Sequence, residues 1–113
     1  MQRQVWAEIV DGHFVRIYKN LKLAVAAGVC YALISRAVAV KDIRRQVWER
    51  AKHTCEHCGD TVPWGVFELH EFIWRGRGGE VSVANGRCLC RRCHQNDPVA
   101  GHGERRIKWT PVA

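Results

Sequence analysis

Two Cys-x-x-Cys pairs constrain this chain more than anything else in it. Cys55/Cys58 and Cys90/Cys93 are separated by thirty-one residues. The whole chain is 113 residues, room for one small domain. Domains of this size bury a limited share of their surface and often depend on a metal or disulfide staple. A Cys-x-x-Cys turn sets two thiolates about one tetrahedral edge apart, which suits zinc, and four thiolates leave the ion no open position. The predicted site is therefore structural: it holds the fold and does no chemistry. Gly59, directly after Cys58, supplies the backbone freedom a knuckle turn needs. Cys30 and Cys88, outside the pairs, read as small buried hydrophobes.

Ahead of the cysteines the pattern is that of ordinary secondary structure. Val5 to Tyr18 reads as two strands joined at Asp11-Gly12, a dipeptide that accepts positive φ. Leu21 to Ile34 is an apolar run with Leu21, Val25, Val29 and Leu33 at helical spacing, and Asn20 is placed to cap it. Its uninterrupted part, Leu23 to Ile34, is twelve residues, short of a membrane span. The expectation is a helix covered by protein, with a homodimer through this helix as one way to cover it. Ser35 to Val40 follows as a connector.

Lys41 to His53 then carries Ile43, Val47, Trp48 and Ala51 on one helical face. Arg44, Arg45, Glu49, Arg50 and Lys52 lie largely opposite, as solvated surface. Asp42 is expected in the first turn, where the helix dipole favours an acid. On this reading residues 1–40 are an appendage of hairpin plus apolar helix, residues 41–113 are the functional domain, and the fold class is α+β.

Net charge is +7, from 18 Lys and Arg against 11 Asp and Glu, a balance that favours polyanionic partners. Basic residues gather around the cysteine unit: Arg75, Arg77, Arg87, Arg91, Arg92, Arg105, Arg106 and Lys108. No basic-then-apolar leader with a cleavage site stands at Met1, which points to the cytoplasm. In that reducing compartment paired cysteines favour metal over disulfide.

Between the pairs, Phe67 to Ile73 alternates as a strand would and brings His70 and Glu71 to its middle or end. A loop follows, Arg75-Gly76-Arg77-Gly78-Gly79. Asn85 stands five residues before Cys90, and His94 directly follows Cys93. Phosphodiester hydrolysis needs a Lewis acid on the phosphate and a base to activate water. A His/Glu pair, an asparagine and a second histidine, drawn together by a zinc knuckle, match that need. Taken singly, Asn85-Gly86 is also a common turn signal, and His94 is a plain helix residue.

These residues together resemble the HNH nucleases. That family's ββα-metal motif is a hairpin and helix around one divalent ion, framed in many phage-type members by two Cys-x-x-Cys pairs. The likeness runs from about Lys41 to His94. It includes the Arg-rich helix Ile43 to Arg50, Gly76-Arg77-Gly78-Gly79, Asn85 and Cys93-His94, and the tail Gly101 to Arg106 is also similar. The resemblance implies a zinc-stapled, treble-clef-like core and cleavage of DNA to a 5′-phosphate and 3′-hydroxyl. It implies cytoplasmic action, in the host cytoplasm if the chain is phage-encoded.

By the same resemblance His70 and His94 would hold the catalytic divalent ion (Mg, Mn, Ni or Zn), and Asn85 would fix the hairpin or support the base. Arg75, Arg77, Arg91, Arg92, His102 and Arg105 would meet phosphates. Glu71 departs from the family, which usually has histidine as its base there. A carboxylate is a weaker base unless burial raises its pKa, so Glu71 and His70 both stand as candidates for the base. A non-cutting, zinc-scaffolded nucleic-acid-binding module is the alternative.

Overall fold

Asp11 and Gly12 both take positive φ, 52° and 81°. The two-residue turn they form folds β1 (Gln4–Val10) back onto β2 (His13–Tyr18) as an antiparallel hairpin, as expected. The computed structural model describes residues 3–71 and 80–95, with the side chains of Glu68, His70, Glu71 and Gln95 outside that description. The described chain is mixed α and β.

The apolar run after β2 divides in two and forms no single helix. Asn20 does cap a helix, accepting from the Leu23 amide at 3.0 Å, but α1 ends after Leu21–Ala26. Gly28, with φ of 69°, then turns the chain into β3 (Tyr31–Ser35). This strand pairs antiparallel with β1, giving the sheet order β2-β1-β3. The free edge of β1 offers a ladder of backbone hydrogen bonds that a continuous helix would forgo. Val29, Tyr31 and Ile34 suit a pleated surface at least as well as a helix. The fourteen-residue helix expected as a dimer seam is therefore absent. Cys30, at the entry to β3, is exposed and not buried.

Helix α2 (Arg36–Arg50) starts immediately after β3, so the expected connector is helical. Its first half lays Ala39 against Val5 and Ala7, with Phe14, Ile17 and Ile34 around them. Asp42 consequently sits in mid-helix and not in a first turn. Its carboxylate accepts from the Phe14 amide at 2.7 Å and meets His13 Nδ1 at 3.1 Å, tying the hairpin to the helix. Gln46 Nε2 donates to the Phe14 carbonyl at 2.7 Å. The second half turns Val47, Trp48 and Ala51 toward the cysteines. One helix thus serves both cores, and residue 40, the expected boundary, falls inside it.

Beyond α2 come the turn holding Cys55 and Cys58, a single 3-10 turn over Trp64–Val66, β4 (Glu68–Glu71), β5 (Gly86–Leu89) and α3 (Arg91–Gln95). Strands β4 and β5 pair antiparallel. The stretch leading to β5 lies along the outer side of β2: Ile17 donates to the Val81 carbonyl at 2.8 Å, and Val83 donates to the Val15 carbonyl at 2.9 Å. No helix among the described residues is long and apolar enough to cross a membrane.

Candidate metal centre

The turn that carries Cys55 and Cys58 is prepared by two residues in the left-handed region, Lys52 at φ 56° and His53 at φ 63°. Non-glycine residues hold such angles only where surroundings over-determine them. Here the His53 amide donates to the Trp48 carbonyl at 3.0 Å, and its ring stacks on Trp48 with centroids 3.6 Å apart. The chain reverses through a small loop in which Cys55 donates to Asp60 at 2.7 Å and Gly59 to Cys55 at 2.9 Å. Gly59 takes φ of 83°, the role expected of it.

From the other side, β5 and the start of α3 deliver Cys90 and Cys93. The Sγ atoms of Cys55, Cys58, Cys90 and Cys93 all lie within 4.8 Å of one another, and Cys58 Sγ is 3.7 Å from Cys90 Sγ. A tetrahedral zinc with bonds of about 2.3 Å sets its sulfurs roughly 3.8 Å apart. The donor set and spacing therefore fit zinc. The His57 and Cys58 amides point at Cys55 Sγ from 3.4 and 3.5 Å. Burial acts to raise the Cys55 thiol, but the backbone amides of Cys58, Cys90 and His57 outweigh it and bring the group down to about 7. Cys93 moves the other way, pushed up by burial and by the neighbouring cysteines. A divalent cation would take these thiols in their ionised form, so its binding would release protons.

Cys88 takes no part in this cluster. It is fully buried in β5, packed with Val47, Val62, Phe67 and Leu89, and burial pushes its thiol up to about 12. The expectation of a buried hydrophobe holds for it.

Of the proposed catalytic residues, His70 and Glu71 lie in β4, opposite Arg87 and Gly86 of β5. Asn85 immediately precedes β5. Its Nδ2 donates to the Glu80 carbonyl at 2.9 Å and its amide to Ser82 Oγ at 3.0 Å, closing the turn into the strand. His94 is half-buried in α3 and its amide donates to the Cys90 carbonyl at 3.0 Å. Arg91 and Arg92 are exposed on the same helix. Arg92 reaches Asp60 at 3.4 Å and is held in its charged form by Cys58 first and Asp60 next. Arg75, Arg77, His102 and Arg105 lie outside the described residues. Among the described residues, the four cysteines are the one group of three or more His, Cys, Asp or Glu placed to hold an ion.

The residues that sequence reasoning missed are the ones that clamp this unit to α2. Arg50, expected on a solvated face, donates to the carbonyls of Val83 at 2.9 Å and Gly86 at 2.7 Å, and meets Glu56 at 2.9 Å. Glu56, inside the cysteine turn, also accepts from the Cys88 amide at 2.8 Å. Arg44 donates to the Phe67 carbonyl at 2.8 Å and lies over Trp64. Arg87 is 2 % exposed, and burial lowers its pKa, with Glu56 opposing and Arg50 assisting. No sequence periodicity flags Arg50 or Glu56, because both partners become visible only once the turn is folded.

Comparison with protein-family models, with curated proteins and with solved structures finds no match to this chain.

Proposed function

We propose that this chain is a metal-dependent DNA endonuclease of the HNH kind, on a zinc-stapled ββα-metal core of treble-clef type. One observation supports the reading above the others. Strands β4 and β5 and helix α3 follow one another as a hairpin and helix, with the four-thiol cluster joining the helix to the preceding turn. In this reading the zinc is structural, and His70 and His94 would hold a catalytic divalent ion, which would supply Lewis-acid stabilisation to the phosphate. Glu71 would take the proton from the attacking water, or Glu71 and His70 would exchange roles, with His70 as base and Glu71 on the ion. Asn85 keeps the turn before β5 in register. Arg75, Arg77, Arg91, Arg92, His102 and Arg105 neutralise the DNA backbone, in keeping with the net charge of +7.

The test is nicking of supercoiled plasmid by the zinc-loaded protein in Mg²⁺ or Mn²⁺. The expected result is strand breaks that fall by about a hundredfold or more in His70→Ala, Glu71→Ala and His94→Ala. Full activity in a zinc-loaded His94→Ala protein rejects the site. A second reading, a non-catalytic zinc-scaffolded module that binds nucleic acid, is favoured by Glu71 standing where the family has its base. It predicts salt-sensitive duplex binding and intact plasmid under every metal.

A further inference from the structure

A cleft of about 370 Å³ opens at the end of the N-terminal sheet, where β1 begins and β2 ends, and shares no residue with the thiol cluster. Its volume lies at the lower end of small-ligand sites, which run from roughly 300 to 1,000 Å³. Three cations line it: Arg3, Lys19 and Arg36. Among the described residues no carboxylate pairs with any of the three. The acid at its rim, Glu80, is already engaged by Arg16 at 3.2 Å. The cleft therefore keeps an uncompensated positive potential. Arg36 is also the first residue of the fifteen-residue helix α2, whose positive dipole end adds to that potential.

Charge alone would suit any anion, and the walls narrow the choice. Trp6 and Tyr18, cross-strand partners on β1 and β2, both line the cleft. Trp6 is half-buried, held edge-on by Tyr31 at 5.6 Å, and Tyr18 is buried with its hydroxyl donating to Glu8 at 3.2 Å. Aromatic surface that is already fixed gives a flat ring a contact at little entropic cost. Unpaired cations beside such a surface complement one chemical class, a phosphate joined to a planar base.

We propose that this cleft binds a nucleotide, with its phosphate among Arg3, Lys19 and Arg36 and its base against Trp6. The site rests on the cavity and its lining, and stands whether or not the chain cleaves DNA. The nucleotide is either free or one unit of a single strand, and the two sources are separable by experiment.

Amide and indole NMR spectra of the full, zinc-loaded chain would be titrated to millimolar concentration with dAMP, adenosine, inorganic phosphate and a single-stranded tetranucleotide. The expected result is that dAMP moves the Trp6 indole and the amides of Lys19, Asn20 and Arg36. Phosphate and adenosine should each bind at least about tenfold more weakly, the scale of one lost charge-assisted hydrogen bond. Arg36→Gln and Trp6→Leu should each weaken dAMP by a similar factor, and Lys19→Gln, at an exposed position, gives a variant with little bearing on folding. Tighter binding of the tetranucleotide on the same resonances assigns a polynucleotide; equal binding assigns a free nucleotide. The proposal is overturned if phosphate matches dAMP, if the cleft resonances stay still, or if Lys19→Gln and Arg36→Gln both bind as the parent does.

Discussion

The N-terminal sheet closes over Val5, Ala7 and Ala39, with Phe14, Ile17 and Ile34 packed beside them. The cysteine half instead counts three cysteines among its seven buried core residues, Val47, Cys55, Val62, Phe67, Cys88, Leu89 and Cys93. Both halves pack apolar groups on α2, but the first does so from a three-stranded ladder. The second has a two-stranded ladder, a five-residue helix and a set of thiols gathered at one point. A two-stranded hairpin is marginal by itself in water. The cysteine half has the larger buried cluster but the smaller sheet, and only there do four thiols gather, so that is the half in which a bound metal would matter.

Removing zinc is the hardest test of that contrast. Structural zinc in small domains contributes on the order of 10 kcal/mol or more. Chelation, or Cys93→Ala, should strip hydrogen-exchange protection from β4, β5 and α3 while β1 and β2 keep most of theirs; equal loss in both halves would erase the distinction. Acid should do the same. Cys55 is depressed to about 7, below the roughly 8.5 of an unfolded cysteine. Its stabilising share is thus present at higher pH and lost as pH falls through about 7. Zinc binding at pH 7 should release protons, since thiols must ionise to ligate and burial and neighbouring cysteines push Cys93 up. Calorimetry in buffers of different ionisation enthalpy counts them.

Arg50→Ala comes next, because it breaks the clamp between α2 and the turn before β5 and leaves the largely buried Glu56 carboxylate without its cation. A loss of about 3 kcal/mol is expected by urea denaturation of the zinc-loaded protein. Gly86→Ala probes the same seam sterically. An added Cβ would meet Val47 Cγ2 at 2.8 Å, Leu69 Cδ1 at 3.0 Å and the Ser82 carbonyl at 3.1 Å, for a cost of about 2 kcal/mol. Asn20→Ala touches only the cap of α1 in the other half, where about 1 kcal/mol is expected. A larger loss at Asn20 than at Gly86 would reverse the ranking of the two halves.

Much of this was legible in the chain. Asp11-Gly12 announces its hairpin because few other dipeptides accept positive φ twice, and the cysteine spacing announces a four-thiol site because chemistry dictates that interval. Leu21 to Ile34 misled because an apolar run is compatible with either period, and the available edge of β1 decided between them. Only Gly28, inside that run, hinted at the break. Asp42 looked like a first-turn acid because the helix start was placed five residues late; in fact Ser35 ends a strand and α2 begins at once. Arg50 and Glu56 were illegible for a different reason: a charged side chain on a helix face or in a turn is usually solvated, and the backbone groups these two bind come from more than thirty residues away. Asn85 was read as fixing the hairpin or supporting a base, and its hydrogen bonds to Glu80 and Ser82 lie at the turn before β5.

The short pairing of residues 81 to 83 along β2 has a consequence for engineering the molecule. Strand β2 carries an irregularity, with Glu8 opposite Arg16 but Ile9 opposite Phe14, and the residue left over is Val15. That spare carbonyl receives Val83. The first hairpin is therefore a jig on which the approach to β5 is laid, two residues ahead of Asn85. Trimming the chain to its cysteine-bearing portion would remove the jig along with the sheet, so a minimal version should retain everything from Arg3 onward.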